Sequence, residues 1–344
     1  MRARSDLTFR SGREKIRVMP SRRSFLAAAL IMGLVASACA GSDDPVVPDA
    51  SSLSAAPSTL AASVASVDLA AGSPQRFSLG IFSSDAEGVK LLTFGQVTFR
   101  FAFLGGGSTA SDAGPEVTGT YLSAFGMPRG GSTPAFSAPS EGRGIYQAEG
   151  VVFDQAGVWQ VDVTAEIPGS GQQTLSATFP VAEQHAIPAP GDRALHTENL
   201  TMDSTGVPAA AIDSRALDGA KVPDPELHAT TIAAALDAHQ PIVVIFATPT
   251  FCVSLMCGPE VDSVAALAKR YGDRAVFIHV EIWRNNAKQV INKAAADWLL
   301  RNGDLSEPWV YLIGSDGIIK DRWGPLFDQD EVAKELAELP RMRS

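Results

Sequence analysis

Cysteine is scarce, with three residues in a chain of 344. Three thiols are too few to staple a disulfide scaffold, to build a cysteine-based zinc ribbon or to hold an iron–sulfur cluster. Positive charge is the minority sign: 28 Lys and Arg stand against 38 Asp and Glu, for a formal charge of −10. A chain of that balance lacks the basic footprint of a nucleic-acid binder, and that class is set aside. The apolar run from Phe25 to Ala38 is also too short to span a bilayer, which takes about 20 helical residues. What is present is ordinary for a globular chain, 45% hydrophobic and 19% charged. The length allows two or three domains. The 30 Gly and 22 Pro imply linkers without a collagen-like repeat.

The N-terminus reads as an address. Arg2, Arg4, Arg10, Arg13, Lys15, Arg17, Arg22 and Arg23 form a basic region ahead of the apolar run, and small residues precede a cut site, as in a secretory signal. Cys39 follows Ala36, Ser37 and Ala38, which resembles a bacterial lipobox. The resemblance implies cleavage after residue 38 and lipid on Cys39, with the mature protein anchored at the extracytoplasmic face of the cell membrane. Arg22 and Arg23, followed by Ser24, Phe25 and Leu26, also resemble a twin-arginine export motif, with general export as the alternative. Removing 1–38 takes away +6 and leaves about −16, so the lipid and not a basic patch would hold the protein to the membrane.

Residues 39–65, rich in Ala, Ser and Pro, read as a flexible tether. From 66 to 182 short alternating runs recur, such as Arg76 to Phe82, Val97 to Phe103, Val158 to Val163 and Thr174 to Phe179. These predict half-buried strands of a β-sandwich. The stretch from Gly144 to Val161 is similar to the late hairpin of an immunoglobulin-like domain. With neither His nor Cys, this region offers no soft metal ligands and reads as a spacer or docking module. Residues 183–223 form a Pro-containing connector, either a linker or an extended strap across the next domain.

Beyond 224 the pattern becomes α-β-α-β-α-β-β-α. Thr230 or Thr231 can cap a first helix. Pro241 to Ala247 is a continuous apolar run of the kind found in buried strands. Cys252 and Cys257 follow it, then a helical segment from Val261 to Tyr271, a strand from Ala275 to Ile282 and a helix from Lys288 to Asn302. Pro308 opens a strand that turns at Gly314–Gly317 into a partner strand, and Asp328 to Leu339 closes the chain. The strand into Phe246 and Ala247, the pair Cys252 and Cys257, and Pro308 ahead of two strands resemble the thioredoxin fold, most closely the extracytoplasmic TlpA-like thioredoxins. The resemblance covers 224–340 and implies an α/β thioredoxin-like domain after the sandwich, hence a multi-domain fold class. It further implies a cis Glu307–Pro308 bond facing the cysteines.

The spacing departs from that family, because four residues and not two separate the cysteines. Residues five apart on an ideal helix lie about 140° apart around the axis with a rise of about 7.5 Å. A disulfide needs Cα atoms within about 7 Å. The pair can therefore bond only if the segment is looped or if Cys252 precedes the helix, and Pro259 favours a helix starting near Gly258. On the redox reading Cys252 attacks and Cys257 resolves. The strand before the cysteines lacks the carboxylate that thioredoxins often bury there. Glu281 is then the nearest candidate, and His279 reads as a packed or surface residue.

Three functions compete. The first is a thiol–disulfide oxidoreductase acting on thiols or disulfides of exported proteins, with no cofactor and no nucleic acid. The second is a structural or adaptor lipoprotein with an inert disulfide, which export also favours. The third is an SCO-type copper chaperone, although its cysteine spacing is one shorter and no His stands near Pro308. A thiol peroxidase is excluded by Ile245 and Pro249, which stand where that family's motif wants Pro and Thr.

Overall fold

The computed structural model describes residues 59–105 and 112–342. The signal segment, Cys39 and most of the tether lie outside the described residues. The first strand, β1 (Thr59–Val64), takes up the end of the stretch read as tether. It is followed by β2 (Gln75–Asp85), β3 (Gly88–Thr93), β4 (Gln96–Gly105), β5 (Asp112–Ser123), β6 (Ala135–Ser137), β7 (Gly144–Val151), β8 (Gly157–Ile167) and β9 (Gly171–Val181). All nine join one antiparallel sheet in the order β6-β3-β2-β7-β5-β4-β8-β9, with β1 paired to β2. The sheet curls over an aromatic core. Phe77 on β2 touches Phe101 on β4 (ring centroids 4.8 Å apart) and Phe179 on β9 (5.0 Å), although several strands separate β2 from β9 along the sheet. Strand β4 shows the alternation behind this: Val97, Phe99 and Phe101 are buried, while Thr98 and Arg100 between them are not.

The second sheet is smaller and mixed. It contains β10 (Ile242–Ala247), β11 (Val276–Glu281), β14 (Trp309–Ile313) and β15 (Ile319–Trp323) in the order β11-β10-β14-β15. Strand β10 lies parallel to β11 and antiparallel to β14. All six of its residues are buried, as expected of a central strand covered on both faces. A two-stranded ribbon, β12 (Trp283–Asn285) with β13 (Val290–Ile291), follows β11. Four helices accompany this sheet: α1 (Ile232–Asp237), α2 (Cys257–Tyr271), α3 (Lys293–Leu299) and α4 (Gln329–Glu338). Thr231 caps α1 by accepting from the Ala234 amide, and Asp328 caps α4 by accepting from the Asp330 amide.

This architecture corrects the expected fold class. A multi-domain pairing of a sandwich with an α/β thioredoxin-like fold does not describe it. The described residues form one compact unit, mostly β and led by the nine-stranded antiparallel sheet, and among them α-helix is confined to segments of 6, 15, 7 and 10 residues. Alternation fixes which face of a strand is buried but not which strand lies beside it, so it was silent on a nine-strand path. The helix expected over 288–302 is mostly not helical. Gln289 sits at φ +53°, β13 forms, and Asn292 donates its side-chain amide to the Ala211 and Glu281 carbonyls before the seven residues of α3 begin.

The chain from 183 to 231 runs as a strap with three short 3-10 turns. It pairs with the outer edge of the small sheet, where the Gly191 amide donates to the Ile319 carbonyl and the Ile319 amide donates to Asp192. Charged groups tie the two sheets together. Arg76 on β2 grips Asp321 (2.7 and 2.9 Å) and Glu331, with its guanidinium over the Trp323 ring. Arg322 pairs with Asp68 at 2.7 Å. Ile145 on β7 and Ala124, just past the end of β5, pack with Met256 and Leu326 in a shared apolar cluster.

Candidate functional site

Strand β10 ends at Ala247, and the chain turns through Thr248–Phe251 to reach Cys252. Cys252 and Cys257 are disulfide-bonded, with Cα atoms 5.9 Å apart. The bond closes because Cys252 precedes the helix, Leu255 takes φ +61°, and Cys257 is the first residue of α2. Pro259 sits in that first turn, where a missing N–H costs nothing. The large sheet fixes the loop from outside: Arg143 donates to the Leu255 carbonyl at 2.8 Å, and Met256 is buried in the shared cluster. Val253 is 97% exposed at the loop tip.

The two sulfurs differ. Cys257 is fully enclosed, whereas Cys252 keeps 7% exposure and lines a groove of about 400 Å³ with Val67, Val253, Pro308, Trp309 and Pro325. The Cys257 amide donates to Cys252 Sγ at 3.3 Å, and Ser254 Oγ lies 3.2 Å from the same sulfur. That amide belongs to the first turn of α2 and has no intrahelical partner, so it is free to stabilise charge on Cys252.

The Glu307–Pro308 bond is cis. Glu307, a residue sequence reasoning passed over, stands at the sulfurs: both Sγ atoms and a Glu307 carboxylate oxygen lie within 4.8 Å of one another. Glu307 Oε2 is buried without a hydrogen-bond partner. Burial first, and the Glu281 carboxylate second, push its carboxyl up to about 7. The available signal was the residue next to Pro308 itself.

Glu281 occupies the end of β11 and is 1% exposed. It accepts from the Ser214 amide at 2.8 Å and the Trp283 amide at 3.1 Å, so it is spent on the strap and on its own strand end. Burial raises its carboxyl despite these bonds. Glu281 therefore reaches the sulfur site through its field on Glu307. A third acid, Glu260, lies one turn along α2 from Cys257. Burial pushes its carboxyl well above the usual range, and it accepts from the Phe327 amide. His279 is fully buried on β11. Cys39 falls outside the described residues, and among the described residues no helix is long and apolar enough to cross a membrane.

Compared with protein-family models, curated proteins and solved structures, the chain has no match in any of the three.

Proposed function

We propose that the protein is a membrane-anchored, extracytoplasmic thiol–disulfide oxidoreductase that exchanges the Cys252–Cys257 disulfide with cysteines of exported proteins. The observation that carries this reading is the Glu307 carboxyl beside both sulfurs, its Oε2 without a hydrogen-bond partner, in the lining of the groove that Cys252 also lines. An inert cross-link has no use for a proton acceptor held beside its sulfurs. In the reducing direction the Cys252 thiolate attacks a client disulfide, forming a mixed disulfide and releasing one client thiolate. Glu307 then takes the Cys257 proton, and Cys257 attacks Cys252 Sγ to release the second client thiolate. Two electrons pass to the client and the Cys252–Cys257 bond re-forms. The oxidising direction is the reverse.

The test is the reduction potential of the pair, measured against glutathione or dithiothreitol buffers. Exchange chemistry calls for a value above about −300 mV. The near-complete burial of both sulfurs favours a second reading, a structural disulfide in an adaptor lipoprotein. A potential below that threshold would select it.

Anchoring rests on the lipobox-like residues ahead of Cys39. Mass spectrometry of the native mature N-terminus is expected to show acylated Cys39. An unmodified N-terminus at another residue would remove the anchor from the reading.

A further inference from the structure

We infer that Asp213, His228 and His279 form a binding site for one divalent metal ion of the zinc type, separate from the cysteines. Asp213 and His228 come from the strap, the latter from its turn before α1, and His279 from strand β11, and each is 0% exposed. One donor atom from each lies within 4.8 Å of the other two.

The hydrogen-bond pattern leaves a gap that a cation fills. His279 Nε2 lies 3.1 Å from the Ala247 carbonyl, which can only accept, so Nε2 carries the proton. In the neutral ring Nδ1 is then a bare lone pair. It sits 3.2 Å from Asp213 Oδ2, also an acceptor, yet makes no hydrogen bond. His228 Nε2 makes a long hydrogen bond of 3.4 Å to the same oxygen, a contact that a metal ion taking the Nε2 lone pair would replace. Two imidazoles thus converge on one carboxylate oxygen, with ring planes inclined at 56° and not stacked. The His279 Nδ1 lone pair and the Asp213 oxygen, two acceptors held together away from water, repel unless positive charge lies between them, and Arg215 reaches only the carboxylate side of that contact. Spacings of 3.2 and 3.4 Å match the edge of a tetrahedron, about 3.4 Å for bonds of about 2.1 Å to zinc.

The surroundings suit such an ion. Metal-binding histidines typically give their other N–H to a carbonyl, as His279 does to Ala247. Arg215 orients Asp213 by donating from its backbone amide (2.9 Å) and Nε (3.0 Å) to Oδ1 and from Nη2 to Oδ2 (2.7 Å). Arg215 also pairs with Asp224 and Asp262. Three carboxylates against one guanidinium leave a charge of −2 with both histidines neutral, which a divalent cation cancels. Two imidazoles and one carboxylate favour zinc and its first-row neighbours over calcium or magnesium, which want oxygens, and over Cu(I), which wants thiolates. The ion would cross-link the strap to β11, behind the strand that leads to Cys252.

The experiment uses the full chain with its disulfide intact. After stripping with a chelator, the protein is titrated with Co²⁺ followed by visible absorption and with Zn²⁺ followed by calorimetry. One equivalent is expected to bind, with tetrahedral-type Co²⁺ bands and no sulfur charge-transfer band. His228→Ala is expected to lower affinity by about 100-fold or more, while the Cys252→Ser/Cys257→Ser double variant keeps it. X-ray absorption of the zinc-loaded wild-type protein needs no variant and should show an N/O-only shell with imidazole scattering. Failure of wild type to bind, unchanged affinity in a folded His228→Ala, loss of binding in the double cysteine variant, or a sulfur-containing shell would each overturn the site.

Discussion

The Cys257→Ser variant is expected to accumulate mixed disulfides with exported clients through Cys252, while Cys252→Ser traps almost none. The asymmetry follows from the start of α2. Cys252 Sγ receives the Cys257 amide at 3.3 Å and has the Ser254 hydroxyl at 3.2 Å, two groups that lower the cost of a thiolate there. Serine at 257 keeps the amide, so the variant loses only the resolving sulfur. Cys257 has no exposure and begins the helix body, beneath the loop that carries Val253 and Leu255. A client sulfur arriving through the groove therefore meets Cys252 first. One pKa unit between the thiols alone makes about a tenfold difference in thiolate at neutral pH, and the difference in access adds to it. Adducts separated without reductant and identified by mass spectrometry give the readout. Equal trapping by the two variants would reverse the assignment of roles. Trapping by neither, with a bond that survives dithiothreitol in the folded protein, would leave the structural reading.

Local patterns carried well from sequence to structure, and long-range ones did not. The run Ile242–Ala247 was apolar on both faces and became a central strand, because only burial on both sides removes that much apolar surface from water. The five-residue spacing of the cysteines required a loop ahead of a helix, and α2 begins at Cys257. Strand order was hidden, since nothing in Arg76 to Phe82 says that β2 lies between β3 and β7 or that Phe77 will meet Phe179 across the curl. The strap was hidden for a similar reason. Asp213 looks like any connector acid until Arg215, His228 and His279 surround it. Glu307 was hidden because a carboxylate beside a proline has no periodicity. Its role depends on β14 placing it against a loop more than fifty residues upstream. Glu281 was found because a strand-end acid is a local signal, yet its hydrogen bonds to the Ser214 and Trp283 amides are what keep it from serving the sulfurs directly.

Glu307→Gln is expected to slow resolution of the mixed disulfide by about 100-fold and to erase one inflection from its pH profile. The magnitude is that of removing a positioned general base. The direction comes from the site. With its carboxyl raised to about 7 by burial and by the Glu281 charge, Glu307 is protonated in acid and becomes a base as pH passes neutrality. The wild-type rate should therefore rise through about pH 7, while the glutamine variant should rise only as the thiol itself ionises, nearer about 8.5. Stability should move the opposite way. The unfolded carboxyl ionises near its ordinary 4.5, so between that value and about 7 the folded state holds the extra proton. The stabilising effect is full below 4.5 and is lost as pH rises through 7, because the unfolded state binds fewer protons across that window. Glutamine, neutral at every pH, should flatten this part of the denaturation profile. A structural carboxyl would show the stability change without the kinetic one. Stopped-flow reoxidation of the reduced protein by a small disulfide, run from pH 5 to 9 on both proteins, separates the two cases, and superimposable rate profiles would strip Glu307 of its role as the base.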